Sequence, residues 1–350
     1  MLSTAAGTAW LLLLFTRGWS ASLAGVPAPR PAAIAVCVLV TALGWEVFSF
    51  PFVFYRTFIL DRKYGLSSEP LRTWLNDHVK ALAIALGLSA SAGLVVYAAM
   101  HLWPRWWWLG TAAAFGLAGL ILSQLAPVLL MPLFYRFRPL ERDALRARLT
   151  TLSAQAGVPV LGAFEWGLGE KTTRANAALV GAGSTRRILV SDTLLKDFSD
   201  DEIEVILAHE IAHHVYRDMW SALALEVAAA AAALLAAHLT LGRVGYLPSD
   251  LAALPLLALA AGAASLLLTP AANAWSRHNE RRADRFALQL TGRHAAFISA
   301  MRRLGAQNLA EERPTPLVRW FFHTHPTIDE RIASASSLLR SSPSLRAPQR

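Results

Sequence analysis

Five stretches of this 350-residue chain are apolar enough and long enough to cross a lipid bilayer. A helix needs roughly 20 apolar residues to span the hydrocarbon, where every backbone N–H and C=O must be hydrogen-bonded within the segment. With 55% apolar and only 16% charged residues, the composition agrees with a helical membrane protein that crosses the bilayer several times. We predict spans near residues 32–58, 81–103, 107–135, 219–240 and 251–273.

The N-terminal residues are a weaker candidate for a span, because the apolar run from Met1 to Phe15 is short and Arg17 follows it closely. A secretory signal peptide is the alternative interpretation. The segment lacks the basic start of such a signal, and Gly18-Trp19-Ser20 is a poor cleavage site. We therefore expect a retained first span, and we predict a mainly α, polytopic membrane protein with about six transmembrane helices.

Tryptophans cluster between the second and third long spans. Trp103, Trp106, Trp107 and Trp108 occur there beside Pro104 and Arg105. Tryptophan is enriched where membrane helices meet the polar headgroups. The cluster therefore predicts a tight turn at a lipid–water boundary.

Two polar regions interrupt the spans, one near residues 136–218 and one from about residue 276 onward. Two predicted spans, an even number, separate them, so both regions lie on the same side of the membrane. We predict N-terminal transmembrane helices over residues 1–135 and a second domain over residues 136–350. This second domain contains the last two spans, 219–240 and 251–273.

Basic residues indicate which side of the membrane this is. The 59–80 loop lies on the same side by span counting and carries Arg62, Lys63, Arg72 and Lys80. Cytoplasmic loops are enriched in Lys and Arg, so we expect the second domain to face the cytoplasm. The Ala-rich composition favours a bacterial source, and hence a bacterial plasma membrane.

The net charge of +9 does not indicate a nucleic-acid partner, because the basic residues are scattered through loops and tails. We expect no binding of nucleic acid, and membrane lipids as partners. The one cysteine, Cys37, lies in a predicted span, so no disulfide within the chain holds the fold.

The segment His209-Glu210-Ile211-Ala212-His213 has the pattern H-E-x-x-H, which is typical of zinc peptidases. On a helix, residues four apart project from the same face, so both imidazoles can bind one metal ion. Ser199 followed by Glu202 has the form of a capping box, which predicts a helix that begins near Asp200.

A catalytic zinc ion usually has three protein ligands, so the two histidines need a third. The segment from Ser276 to Asp284 lies on the same side of the membrane and offers Glu280 and Asp284, four residues apart. We assign the metal to Glu280 and expect Asp284 to accept a hydrogen bond from a zinc-bound histidine. His278 is the alternative ligand, and we expect His214 to be structural.

One Zn²⁺ per chain in this site predicts hydrolysis of peptide bonds in a peptide or protein substrate. Zinc lowers the pKa of its bound water to about 7, and Glu210 can then take the proton from that water as general base. The developing oxyanion needs further donors, for which His323, His325 and Arg331 are candidates.

Taken together, these motifs resemble the CAAX prenyl protease 1 family of integral-membrane zinc metallopeptidases. The zinc helix and the segment around Glu280 and Asp284 match the metal-binding pair of that family. More specific matches lie outside the metal site, at Tyr64-Gly65-Leu66-Ser67, Pro132-Leu133-Phe134, Pro139-Leu140 and Arg187 to Leu195.

The resemblance implies roles for further residues. Asn176 and Ala177, with Gly181, match an edge strand that binds the substrate, and His325 with Arg331 matches a late motif in which the histidine assists the oxyanion and the arginine supports the site. The implied fold is a ring of membrane helices around a chamber, closed on the cytosolic side by a small α+β gluzincin-type protease domain. A prenylated C-terminus is the implied substrate.

Two other functions remain open at this point. A quality-control protease of the HtpX type would use the same chemistry on damaged membrane proteins. A non-catalytic or sensor-type homologue belongs to a different class, and the presence of all metal ligands and the general base in the sequence argues against it.

Overall fold

The computed structural model describes residues 2–181, 183–309, 311 and 314–341, and it is mainly helical with one small sheet. Within these residues, five helices are long and apolar enough to cross a membrane. They cover Arg30–Lys63, Leu71–Leu102, Trp107–Leu133, Asp218–Val244 and Leu251–Thr291. The predicted fold class and the five long spans are confirmed, whereas the apolar helix Leu2–Thr16 has only 15 residues and its role as a span stays a prediction.

The elements follow one another with short connections. In chain order they are α1 Leu2–Thr16, α2 Trp19–Ala24, α3 Arg30–Phe54, α4 Asp61–Lys63, α5 Leu71–Leu102, α6 Trp107–Leu125, β1 Phe137–Pro139, α7 Asp143–Gln155, β2 Ala163–Trp166, β3 Ala177–Val180, β4 Arg187–Ser191, α8 Asp192–Asp197, α9 Asp200–Val215, α10 Asp218–Val244, α11 Leu254–Thr291, α12 His294–Gln307, α13 Pro316–Phe322 and α14 Ile328–Ser341. Short π-helical turns at Tyr55–Leu60 and Ala126–Leu130 extend α3 and α6.

The chain forms two compact units, and the first comprises Met1–Tyr64, Glu69–Leu120 and Leu223–Leu268. Its core includes Ile34, Trp107 and Leu241, all buried. Trp107 is fully buried and donates its indole N–H to Nδ1 of His238 over 3.0 Å, which satisfies a polar group inside an apolar bundle.

Within this unit, α1 is held to α3 by a reciprocal pair of glycine and tryptophan contacts. Gly7 on α1 lies against the ring of Trp45, and Gly44 on α3 lies against the ring of Trp10. The indole N–H of Trp10 donates to the Thr41 carbonyl over 3.0 Å. Small residues allow membrane helices to approach closely, so this pairing explains how a short helix packs tightly.

The second unit comprises Gly65–Ser68, Ile121–Ala222 and Thr269–Arg350 and contains the sheet. The strand order is β1-β2-β4-β3; β2 and β4 are parallel, and the other pairs are antiparallel. Residues alternate between the two faces of a sheet. Ile188 and Val190 therefore join the core with α7, α9 and α12, while Leu189 packs on the other face with Trp166.

Helix α9 is at the centre of this core. Its capping box is present as predicted, with Ser199 accepting from the backbone of Glu202 and the Glu202 side chain accepting from the backbone of Ser199. Ile203, Leu207 and Ile211 recur at four-residue steps and are fully buried. This packing fixes the position of the helix that carries the H-E-x-x-H motif.

The contact between α1 and α3 generates a test of stability. A Cβ atom at position 44 would lie 2.1 Å from the nearest atom of the Trp10 ring, so Gly44→Ala forces the helices apart. We expect a loss of about 1–3 kcal/mol, seen as a lower melting temperature of the detergent-solubilised protein.

The matched control is Gly87→Ala on α5, where an added Cβ meets no atom within 4 Å. This variant should melt at the wild-type temperature or slightly above it, because alanine is the better helix former. Equal melting temperatures for the two variants would contradict the proposed packing.

Candidate active site

Three side chains from two helices meet in the second unit. His209 and His213 lie one turn apart on α9, and Glu280 comes from α11. The Nε2 atoms of the histidines are 3.3 Å apart; Glu280 Oε2 lies 3.2 Å from the His209 Nε2, and Glu280 Oε1 lies 3.5 Å from the His213 Nε2. The structure thus brings together the three residues for which the sequence predicts metal binding.

The other nitrogen of each imidazole faces a carboxylate. His209 Nδ1 lies 2.9 Å from Asp284 Oδ1, and His213 Nδ1 lies 2.9 Å from Asp218 Oδ2. A carboxylate accepts hydrogen bonds, so each Nδ1 carries a proton and donates it. A neutral imidazole then has a bare lone pair on Nε2, and both lone pairs point to the same small region as Glu280.

This arrangement of acceptors is suited to a cation. In the neutral state of both imidazoles, the two Nε2 atoms and the Glu280 carboxylate contain no donor for one another. Glu280 Oε2 is buried and has no hydrogen-bond partner of good geometry among the described residues. Neutral imidazoles and a carboxylate are zinc ligands, and their carboxylate partners are typical of zinc sites.

Two arginines hold the carboxylates in turn. Arg331 contacts both oxygens of Asp284, with Nη2 at 2.5 Å from Oδ1 and Nε at 2.9 Å from Oδ2. Arg282 donates to Asp218, and its guanidinium lies 4.2 Å from the centre of the Tyr216 ring. The bidentate contact of Arg331 fixes the position of Asp284 and hence the orientation of His209, whereas Arg282 holds Asp218 through a single hydrogen bond.

The electrostatics of His209 reflect this surplus of negative charge. Burial disfavours the imidazolium form, but contacts with the Asp284 and Glu280 carboxylates outweigh burial and raise the pKa of His209 to about 9. A metal ion bound at Nε2 would compete with a proton for that nitrogen, so metal binding would become stronger as the pH rises towards this pKa.

Glu210 lies between the two histidines on α9 and is half-buried. Among the described residues, none forms a hydrogen bond or an ion pair with its carboxylate. Its carboxylate is therefore not engaged in a hydrogen bond or ion pair within the described part of the chain.

His325 is the second predicted catalytic residue, and it lies in the loop before α14. Its Nδ1 is 2.8 Å from Glu280 Oε2, and its side chain is 62% exposed. It therefore stands between the three-residue cluster and solvent. Two other histidines considered from the sequence, His278 and His323, are not part of the three-residue cluster among the described residues. The ring of His278 lies beside Trp275, and the backbone carbonyl of His323 accepts from Arg277.

Asn176 and Ala177 lie at the free edge of the sheet. The Ser191 N–H donates to the Asn176 carbonyl over 2.9 Å, and the Asn176 N–H donates to the Ser191 hydroxyl over 2.9 Å. In an antiparallel ladder the backbone groups of alternate residues point to opposite sides, so the N–H groups of Ala177 and Leu179 face outward. The Leu179 carbonyl accepts from His214 Nε2 over 2.8 Å, which confirms a structural role for His214 and joins α9 to β3.

Sequence reasoning missed two residues of this constellation, Asp218 and Arg282. Asp218 follows His213 by five residues and lies in the first turn of α10, after a turn in which Arg217 has a φ of 56°. The one sequence signal for this role was that Asp218 lies five residues after the last histidine of the H-E-x-x-H motif. The direction of its side chain depends on that turn, which local patterns do not specify.

The role of Asp218 can be tested by metal affinity. Asp218→Asn removes the negative charge that holds the Nδ1 proton of His213. We expect the affinity for Zn²⁺ to fall roughly 10–100-fold, measured by competition with a chromogenic chelator.

The matched control is Asp143→Asn on α7, because this exposed carboxylate forms an ion pair with Arg146 on the same helix and with no other residue that the structure describes. It should leave metal affinity unchanged. An Asp218→Asn protein that binds zinc as tightly as this control would refute the role of the carboxylate.

Comparisons with known proteins agree with this geometry. Residues 139–339 match the family model for peptidase family M48, and residues 1–136 match the model for the CAAX prenyl protease N-terminal region with five membrane helices. The resemblance inferred from the sequence motifs is thereby confirmed.

Two relatives illustrate the match. An uncharacterized metalloprotease of Bacillus subtilis, YhfN, is 31% identical over 281 residues, which cover 78% of this chain and 66% of that protein. The probable CAAX prenyl protease 1 of Schizosaccharomyces pombe is 29% identical over 297 residues, which cover 81% of this chain and 61% of that protein. The chain thus spans less than two thirds of the length of these relatives.

A solved structure has the same fold. The crystal structure of S. mikatae Ste24p superposes with a TM-score of 0.80 at 21% sequence identity, over 92% of this chain and 80% of that one. At 21% sequence identity, this similarity shows a shared fold.

Proposed function

The chain belongs to peptidase family M48, and we propose that it is a membrane-embedded zinc metalloendopeptidase that hydrolyses peptide bonds. The observation that carries the proposal is the convergence of His209, His213 and Glu280, with a carboxylate on the second nitrogen of each histidine. His209, His213 and Glu280 would hold one Zn²⁺ per chain, and Asp284 and Asp218 would orient the two imidazoles.

When bound, zinc supplies Lewis acidity and makes a water molecule acidic enough to lose a proton near neutral pH. Glu210 would accept the proton of the attacking water on its carboxylate and pass it to the leaving amine nitrogen. Its lack of structural partners among the described residues supports this role. His325, at the exposed side of Glu280, would donate a hydrogen bond to the developing oxyanion.

Arg331 would act through Asp284, since it binds both oxygens of that carboxylate. We assign it the task of holding His209 in place. It does not contact the reacting atoms in this proposal.

The substrate would bind as an added strand along β3. Ala177 lies at the outer edge of the sheet, where a backbone N–H can pair with an extended peptide. The exposed side chain of Asn176 lies at the start of that edge and would hydrogen-bond the substrate backbone. His214 holds the far part of β3 against the zinc helix, which supports a fixed distance between the bound peptide and the metal ligands.

The motif Tyr64-Gly65-Leu66-Ser67 braces this substrate edge. The Leu66 carbonyl accepts from the Thr173 N–H and from the Thr172 hydroxyl, each over 3.0 Å, and the Ser67 hydroxyl donates to the Lys171 carbonyl. These bonds fix the chain a few residues before Asn176. They give a physical reason why that loop and the strand belong to one functional element.

We propose a peptide with a prenylated C-terminus as the substrate class, because the S. pombe relative carries the name of a CAAX prenyl protease. We further propose that residues 136–350 form the protease domain and that its site faces the cytoplasm. Support for that side is the basic 59–80 loop, which carries Arg62, Lys63, Arg72 and Lys80. A bacterial plasma membrane remains our proposal for the location.

Exchange of the general base separates chemistry from metal binding. Glu210→Gln should retain the zinc content of wild-type protein and lose cleavage by roughly 10²–10⁴-fold, because the amide cannot accept the proton. His213→Ala and Glu280→Ala should lose the metal itself. Elemental analysis of detergent-purified protein and a peptide cleavage assay provide the two measurements.

The matched control is Glu170→Gln, since the side chain of Glu170 is 75% exposed and lies in a surface loop. This variant should keep both zinc and activity. Persistent hydrolysis by the Glu210→Gln protein would overturn the assignment of the base.

The substrate class requires a separate assay. We expect a farnesylated CaaX peptide to be cleaved faster than its unmodified twin and faster than an unfolded membrane protein. Preference for the unfolded membrane protein would instead assign the enzyme to quality control. If the farnesylated and unmodified peptides are cleaved at equal rates, the enzyme does not recognise the prenyl group and that part of the proposal is wrong.

A further inference from the structure

The first unit contains a cavity of about 680 Å³ that the peptidase chemistry does not use. It lies among the N-terminal end of α3, the C-terminal end of α5 and residues 247–249, which follow α10. Its size falls within the range of small-molecule sites, roughly 300–1,000 Å³. Such a volume is large enough to hold a small-molecule ligand.

The walls of the cavity are mostly apolar. Ile34, Leu94 and Met100 line it together with Trp107, which belongs to the tryptophan cluster predicted to lie at a lipid–water boundary. Helix ends and tryptophans are both typical of the level at which acyl chains meet headgroups. An apolar ligand portion would therefore come from the bilayer.

A small polar group of side chains lies in this apolar setting. Arg30, Tyr97 and His101 also line the cavity. The guanidinium of Arg30 lies 5.9 Å from the centre of the Tyr97 ring and donates one hydrogen bond to the Ser249 carbonyl. Among the described residues, no carboxylate forms an ion pair with Arg30, so its positive charge is not neutralised by the protein.

Tyr97 supplies the second and independent observation. The residue is only 4% exposed, and its hydroxyl has no hydrogen-bond partner among the described residues. A buried hydroxyl without a partner is costly, and tyrosine hydroxyls in such places usually bind something. The nearby carboxylate of Asp250 does not fill this role, because it accepts from the Ala252 N–H and caps the following turn.

We propose that this cavity binds the anionic headgroup of a membrane phospholipid. The phosphate would accept hydrogen bonds from the free N–H groups of Arg30 and from the hydroxyl of Tyr97, with His101 at the open side. The beginning of an acyl chain would lie along Ile34 and Leu94. Arginine suits this ligand because its planar fork matches two phosphate oxygens at once.

The test measures lipid binding by the full chain in detergent, using native mass spectrometry. The probes are phosphatidylglycerol, which is anionic, and phosphatidylcholine, which has no net charge. Both lipids carry the phosphate, but Arg30 repels the trimethylammonium group of phosphatidylcholine, so we expect one phosphatidylglycerol to bind about tenfold more tightly than phosphatidylcholine. Equal binding of the two lipids would overturn the proposal.

Two variants and a matched control locate the site. Arg30→Gln should weaken binding of phosphatidylglycerol about tenfold, and Tyr97→Phe should weaken it by a smaller factor of about three to five. The control is Arg105→Gln, which removes an exposed charge stacked on Trp106 in the same tryptophan cluster but outside the cavity. It should leave binding unchanged. Equal losses for Arg30→Gln and Arg105→Gln would show attraction by surface charge alone and refute the cavity.

A competition experiment distinguishes a lipid from a soluble anion as the ligand of this cavity. Inorganic phosphate at millimolar concentration should not displace phosphatidylglycerol, because it lacks the acyl chain that the apolar walls contact. Displacement by phosphate would overturn the assignment to a lipid. If Arg30→Gln does not yield folded protein, Arg30→Lys, which keeps the charge, should retain the preference for phosphatidylglycerol, and Tyr97→Phe still tests the hydroxyl.

Discussion

Two histidines can offer bare nitrogens to the same point only if their other nitrogens are held by acceptors. In this chain Asp284 and Asp218 fulfil that condition, each at 2.9 Å from an Nδ1 atom. Without these carboxylates the tautomers and ring orientations of His209 and His213 would be free to vary. The proposed chemistry therefore depends on two hydrogen bonds made by residues that contact the proposed metal ligands.

Those two hydrogen bonds also tie three helices together. Asp218 is in the first turn of α10, whereas Glu280 and Asp284 are one turn apart on α11, and both helices are among those capable of crossing a membrane. Arg331 on α14 and Arg282 on α11 complete the network. Helix α9 is the buried centre of its unit, and α11, α12 and α14 pack apolar side chains into the same core, so ionic contacts add to an arrangement that packing already fixes.

Helix α9 also positions the edge strand β3. His214 follows directly after His213 and bonds the Leu179 carbonyl, so one turn of α9 positions both a proposed metal ligand and the strand. The opposite side of the same strand pairs with β4. If a peptide is added at the free edge, as we propose, the backbone of β3 and α9 determines its distance from the proposed metal ligands.

The amino-acid sequence alone determined the class of fold and most of the proposed site. Long apolar runs specify membrane helices because backbone groups in hydrocarbon must be paired locally, and the capping box with its four-residue apolar repeat specifies α9. The spacing of His209, Glu210 and His213 follows from the helical period. Even the assignment of Glu280 and Asp284 came from counting spans and from the same period.

Other features were decided only by the tertiary structure. Asp218 and Arg282 were not foreseen, because their partnership with His213 depends on the left-handed turn at Arg217 and on the rotation of α11. The cavity around Arg30 and Tyr97 likewise joins segments distant in sequence, at residues 30–34, 94–107 and 247–249. Periodic patterns report which face of one element is apolar, whereas the direction of a polar side chain is set by the neighbours that packing brings to it.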